Sequence, residues 1–221
     1  MGQLLLVRHG QASWGADDYD VLSSTGHEQS AVLGKALAAR GILPDRIVHG
    51  TMRRHRETAE SAGLVSAGVG QAVVDPGWDE FDHVGMLAAH PADFEGRKPS
   101  KAEFQEWFEA ATDRWTSGVH ADYAESFAAF TVRVDDALRR TAEATGSGTT
   151  IVFSSGGPIS WATASLLADL PGGATALWRK LNPVCVNSGV TRIVTGRRGL
   201  TLVSFNEHAH LDGRPELLTY R

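Results

Sequence analysis

The chain has 221 residues, 42% of them hydrophobic, and a net charge of −5, which is enough apolar mass for one sizeable core. This mild acidity excludes a dominant basic surface, and with it a nucleic-acid partner. The single cysteine, Cys185, excludes an intramolecular disulfide and a cysteine-based zinc site; in its apolar Pro-Val-Cys-Val setting it reads as a buried structural thiol. Residues 3–7 are too short for a signal h-region, and no apolar stretch approaches the roughly 18–20 residues that cross a bilayer. A cytoplasmic protein with no membrane partner is expected.

The first apolar run, Gln3-Leu4-Leu5-Leu6-Val7, predicts a buried strand that stops at Arg8-His9-Gly10-Gln11. In open α/β sheets ligands bind at the carboxyl ends of the strands. A guanidinium supplies fixed, always-charged donors to phosphoryl oxygens, and an imidazole can form a covalent intermediate. Gly10 would let the backbone approach a ligand; a surface Arg-His pair after an edge strand is the plainer reading. Thr25 and Glu28 stand at capping-box spacing, and Val32, Leu33, Ala36 and Leu37 recur at helical spacing until Gly41. A short strand follows at Ile47-Val48-His49, then a helix from about Met52 to Leu64, then a third strand at Ala72-Val73-Val74.

The second helix opens on Arg53-Arg54-His55-Arg56. Cations at a helix N-terminus oppose the macrodipole, so the run is easier to explain if an anion sits among them than as a solvated face. After the third strand comes Trp78-Asp79-Glu80-Phe81-Asp82-His83. A carboxylic acid beside aromatics suits general acid catalysis, whereas a solvated loop or a metal site would also use these residue types. No second ligand cluster has metal-binding spacing.

Residues 82–122 read as a helical insertion lying over the C-terminal edge of the strands. Its stripe of Phe104, Phe108, Ala111 and Trp115 reads as packing surface rather than a cofactor box; exposed Trp or Phe in the insertion would mark a homodimer face or simply the core. Phe127, Phe130, Val134 and Leu138 mark a long helix ending before Gly146. Thr150–Ser154 is a buried strand, and Ser154-Ser155-Gly156-Gly157-Pro158 turns it into a helix with Pro158 at the first helical position. The amides there form an anion-binding arrangement, although a plain strand-to-helix turn has the same composition. Segments 184–194 and 200–205 flank Gly196-Arg197-Arg198-Gly199 as a hairpin. The alternation predicts an α/β fold: a three-layer α/β/α sandwich around a mostly parallel sheet, in one domain over 1–221.

Together the motifs resemble the histidine phosphatase (phosphoglycerate-mutase-like) superfamily. Arg8-His9-Gly10-Gln11 looks like its signature, and Thr51–Ala59 is similar to its second-arginine helix. Glu80 falls where the family has its acid, Phe153–Gly157 falls on its last catalytic strand, and Asn206 with His210-Leu211 matches its ending. The resemblance implies that His9 becomes a phosphohistidine and that Arg8 and Arg54 hold the phosphoryl oxygens. Gly10, Gln11, Ser155 and Gly156 would complete the phosphate site. Glu80 would be the acid, then the base, with no metal and no cofactor. The unprotonated nitrogen of His9 requires an acceptor for its other nitrogen, to fix the tautomer.

One departure stands out. Where the family has a second histidine before the two glycines, this chain has Ser155. Losing such a donor costs on the order of 10²–10³ in rate, unless another histidine is recruited, with His83, His208 and His210 as candidates. Ala12 and Gly15, where glycolytic mutases of the family have Ser and Asn, favour a phosphatase over a mutase. The implied function is a metal-independent phosphomonoesterase acting on a small phosphorylated metabolite. A protein that binds a phospho-ligand or phosphate ion with little turnover is the alternative, and a mutase the second.

Overall fold

The computed structural model describes residues 1–13, 20–64, 71–168 and 170–220; Gly15 lies outside them. Six strands form one sheet: β1 (Gly2–Arg8), β2 (Arg46–His49), β3 (Val73–Val74), β4 (Thr149–Ser154), β5 (Val190–Gly196) and β6 (Gly199–Glu207). Their order is β3-β2-β4-β1-β5-β6. The first four are mutually parallel, and β5 and β6 add an antiparallel margin. The helices are α1 (Ser24–Ala39), α2 (Arg53–Ser61), α3 (His83–Ala88), α4 (Lys101–Thr116), α5 (Phe127–Thr145), α6 (Gly156–Leu167) and α7 (Gly173–Leu181). The expected α/β sandwich around a mostly parallel sheet is the architecture observed.

The run at residues 4–7 is continuously apolar because both faces of β1 are covered. Leu5 and Val7 join Leu33 and Leu37 of α1, Ala59 of α2, and Ile151 and Phe153 of β4 in one core cluster. Leu4 and Leu6 alternate to the opposite face and are equally inaccessible. Burying a side chain of this kind contributes about 1.5–3 kcal/mol, so β1 anchors the sheet from its middle.

The chain forms two compact units, Met1–Glu80 with Val134–Arg221, and Phe81–Arg133. The second has its own aromatic centre: Trp115 of α4 stacks on Phe81 at 4.9 Å and meets Phe127 edge-on at 5.0 Å. Of the predicted stripe, Ala111 and Trp115 are buried, while Phe104 and Phe108 are partly exposed.

Several local details differ from the sequence reading. The N-cap of α1 is Ser23, not Thr25: its hydroxyl accepts from Gly26 N at 3.1 Å, and Glu28 pairs with Arg214 instead. Pro158 is the third residue of α6 rather than the first, still within the turn whose amides have no helical acceptor. The first hairpin strand begins at Val190, because Asn182–Val184 forms a 3₁₀ turn. Helix α7 went unrecognised behind Pro171-Gly172-Gly173; Gly172 supplies its left-handed N-cap at φ 76°. Among the described residues, no helix is long and apolar enough to cross a membrane.

Helices α1 and α2 cross at Gly34, where an added Cβ would lie 1.9 Å from the Ala62 carbonyl oxygen. In an open helix Gly→Ala stabilises by up to about 1 kcal/mol; here overpacking reverses the sign. Gly34→Ala is expected to lower unfolding free energy by about 2–3 kcal/mol, seen as a lower urea midpoint at unchanged slope.

Candidate active site

The parallel register brings the strand ends to one edge. Arg8 pairs with Ser154, and His9 N donates to Ser154 O at 2.9 Å. His9 and Ser155 therefore leave the sheet side by side. On the other side of β4, His49 pairs with Phe153, so Gly50-Thr51 and the start of α2 emerge at the same edge.

His9 is buried, and its Nδ1 lies 2.6 Å from the carbonyl oxygen of Gly10. A carbonyl only accepts, so the proton resides on Nδ1 and Nε2 keeps its lone pair. That carbonyl is the acceptor that the sequence reading required. Burial lowers the pKa of His9 well below the usual 6.5, and the charges of Arg54 and Arg8, with His55, add to the effect. The ring is a neutral imidazole with its basic nitrogen fixed.

Gly10 also packs closely on α1. A Cβ there would lie 2.4 Å from the Gly26 carbonyl oxygen, so the backbone it admits is that of α1. Its amide donates to Thr58 Oγ1 at 3.0 Å. Gln11 N donates to Gln29 Oε1, and Gln11 Oε1 accepts from Ser23; both groups hold the loop. The chain of bonds continues: Gln29 Nε2 donates to Thr219 Oγ1 at 2.8 Å, Thr219 donates to Asn187 Oδ1 at 2.9 Å, and Asn187 Nδ2 donates to the His9 carbonyl at 3.0 Å.

Arg8 donates through Nη1 to the carbonyls of Cys185 and Tyr220. An added Cβ on Gly156 would lie 3.6 Å from Arg8 Nε, which puts this guanidinium against the α6 N-terminus. Cys185 is buried, as its setting suggested. The four-residue basic run divides by helix face. Arg53 and Arg56 are exposed and reach Glu57 and Glu60, whereas Arg54 and His55 turn inward and are buried. The anion wanted at this helix start is supplied at least in part by Asp20, which accepts from Arg53 N and Arg54 Nη1, both at 2.8 Å.

The acidic loop also divides. Asp79 accepts from Thr51 N at 2.5 Å and Thr51 Oγ1 at 2.6 Å, and Asp82 caps α3. Glu80 accepts from Gly157 N at 3.2 Å, which puts its carboxylate at the start of α6. One of the amides expected to face an anion is therefore already engaged.

Ser155 is the N-cap of α6 but makes no capping bond with its side chain. Its hydroxyl lies 2.7 Å from His55 Nε2, and the His55 ring is tilted 37° to that of His9, with centroids 5.8 Å apart. The histidine that meets Ser155 is thus His55, hidden in the cation run, rather than His83, His208 or His210. His208 donates from Nδ1 to Asn206 O, His210 Nε2 bonds Ser188 Oγ, and His83 begins α3. A signal was available: residues i and i+4 share a helix face, so His55 follows Ala59 into the core.

Residues 4–208 match the histidine phosphatase superfamily (branch 1), and the chain belongs to that family. Among solved structures it is similar to Bacillus stearothermophilus YhfR (20% identity, TM-score 0.71), the match covering 95% of this chain and 99% of that one. It is also similar to an Entamoeba histolytica phosphoserine phosphatase mutant in complex with phosphoserine (20%, TM-score 0.69, 96% and 100%). A third similar structure is the Shigella flexneri alpha-ribazole phosphatase (21%, TM-score 0.66, 93% and 96%). Identities this low show a shared fold. No curated protein matches the sequence.

Three histidines here are held neutral by burial: His9, His55 and His210, the last pushed down to about 4. The unfolded chain binds more protons than the folded one below the ordinary value of 6.5. Their contribution is therefore fully present above that pH and is lost as pH falls toward the folded values. Each group adds a slope of at most about 1.4 kcal/mol per pH unit. Urea denaturation from pH 7 to 4.5 should show stability falling with acid, with a shallower fall in His210→Asn.

Proposed function

We propose that this protein is a metal-independent phosphomonoesterase that works through a phosphohistidine on His9. The observation that carries the reading is the Nδ1 bond to Gly10 O, which leaves Nε2 as a lone-pair nitrogen between two arginine-bearing elements. Nε2 attacks phosphorus, the P–O ester bond breaks, and the leaving oxygen takes a proton from Glu80. The Glu80 carboxylate then accepts a proton from water, whose oxygen attacks phosphorus as the P–N bond breaks. Inorganic phosphate leaves, and both residues return to their starting states. Arg8 and Arg54 offset phosphoryl charge throughout, the part that positioning and electrostatics play in phosphoryl transfer.

The substrate is inferred to be a small phosphorylated metabolite. Structural neighbours whose names include phosphoserine phosphatase, alpha-ribazole phosphatase and glucosyl-3-phosphoglycerate phosphatase support that class. Gly10, Gln11, Arg54, Ser155 and Gly156 are assigned to the phosphate site with Arg8; the Gln11 amide and side chain also hold the loop.

A panel of phosphomonoesters tests the reading. His9→Ala is expected to lower kcat by about 10⁴-fold or more, the scale for a lost nucleophile. Wild type quenched in alkali should carry phosphate on His9, detected by mass spectrometry. Because His9 is already neutral well below pH 6.5, loss of kcat/KM from its protonation should begin only below that pH. If wild type and His9→Ala were equally inactive across the panel, while phosphate still raised the Tm, the protein would be a phospho-ligand binder instead.

A further inference from the structure

The site contains a buried Ser–His pair that the scheme above leaves unused. His55 and Ser155 are both fully inaccessible, yet they come from elements about a hundred residues apart and meet at 2.7 Å. Among the described residues, His55 Nδ1 has no hydrogen-bond partner; Asp79 Oδ1 lies 4.0 Å from it, beyond hydrogen-bond reach. Asp79 is itself fixed by two bonds to Thr51. Gly50 makes room for this approach: a Cβ there would lie 2.4 Å from both Asp79 Oδ1 and His55 Nδ1. A buried polar pair with one nitrogen unsatisfied costs stability, and this one stands beside His9.

The direction of the bond follows from what a phosphoryl group needs. A serine hydroxyl has one hydrogen. If that hydrogen went to His55, the oxygen would present only lone pairs to an anion arriving at His9. If His55 Nε2 carries the hydrogen instead, the serine hydrogen is free to turn. The buried ring is neutral and carries one hydrogen. A buried donor without a partner is rarer than a buried acceptor without one, so with Nδ1 unbonded the hydrogen belongs on Nε2. The register that sets Ser155 beside His9 gives the hydroxyl its target.

We propose that Ser155 and His55 form one composite donor to the phosphoryl group in transfer: His55 Nε2–H donates to Ser155 Oγ, and Ser155 Oγ–H donates to a phosphoryl oxygen. Ser155 is then the catalytic residue and His55 a positioning residue. The pair supplies in two pieces the donor that the resemblance led one to expect from a single side chain at 155. This rests on the reading of His9 as phosphoryl acceptor.

The test compares orthovanadate, a five-coordinate mimic of transfer, with inorganic phosphate, a ground-state mimic, by isothermal titration calorimetry. Ser155→Ala and His55→Phe should each weaken vanadate by about 10²-fold, the scale of one lost donor, and weaken phosphate much less. The double variant should be no worse than either single one, because the two act as a unit. His55→Gln retains an amide able to donate to Ser155 and should recover most of the affinity; its small change also guards against misfolding. The proposal fails if Ser155→Ala binds vanadate as tightly as wild type or tighter, if His55→Gln is as poor as His55→Phe, or if the single losses multiply. It fails equally if wild type does not bind vanadate. Wild type that binds vanadate in the expected pattern but never forms phospho-His9 would sink the phosphohistidine reading and leave the donor pair standing. Normal phospho-His9 formation with an indifferent Ser155 would do the reverse.

Discussion

The pairing of β1 with β4 is the constraint on which the site depends. It is parallel, central and apolar on both faces, and it sets Arg8 opposite Ser154. Because side chains alternate along a strand, a slip of one residue would exchange every inward group for an outward one. The buried runs at 4–7 and 151–153 exclude that slip, since the leucines, valine, isoleucine and phenylalanine would each lose their partners. Core packing thus fixes the position of His9 beside Ser155.

From that edge the polar groups are arranged by what each can satisfy. The Gly10 carbonyl holds one nitrogen of His9 and so leaves the other basic. Two arginines stand close, and neither is loose: backbone carbonyls hold Arg8 and Asp20 holds Arg54. Fixed cations cost little reorganisation when an anion arrives, which is the advantage of preorganised electrostatics over a flexible lysine. Burial, with the same cations, keeps these two imidazoles neutral, as the proposed binding and nucleophilic roles both require.

Much of this was legible in the sequence, because strands buried on two faces write continuous apolar runs and their ends mark the functional edge. Arg8, His9 and the clusters at 53–56 and 78–83 could be marked from position along such runs; singling out Arg54 and Glu80 took the resemblance to the family. What was not legible depended on direction. Arg53-Arg54-His55-Arg56 looks like a uniform cation run, but a helix turns about 100° per residue, and so only the middle two face inward. The role of His55 depends on Ser155 across a hundred residues, a contact that no local pattern records. The start of α1 misled for the opposite reason: Ser23 and Thr25 are both plausible caps, and the choice was made by Ser23 also reaching Gln11. The close approach of Gly10 to Gly26 is another contact that no local pattern records.

The bonds running from Gln11 through Gln29, Thr219 and Asn187 to the His9 carbonyl tie the beginning of the chain to residues more than two hundred positions later. Arg8 has the same dependence through its bond to Tyr220 O. During synthesis the loop bearing His9 is made well before Asn187, Thr219 and Tyr220, on which these bonds depend. Until then its carbonyl and guanidinium lack the partners that hold them in the folded protein. The segment at 187–220 must therefore dock before the loop around His9 has all the bonds that hold it in the folded protein.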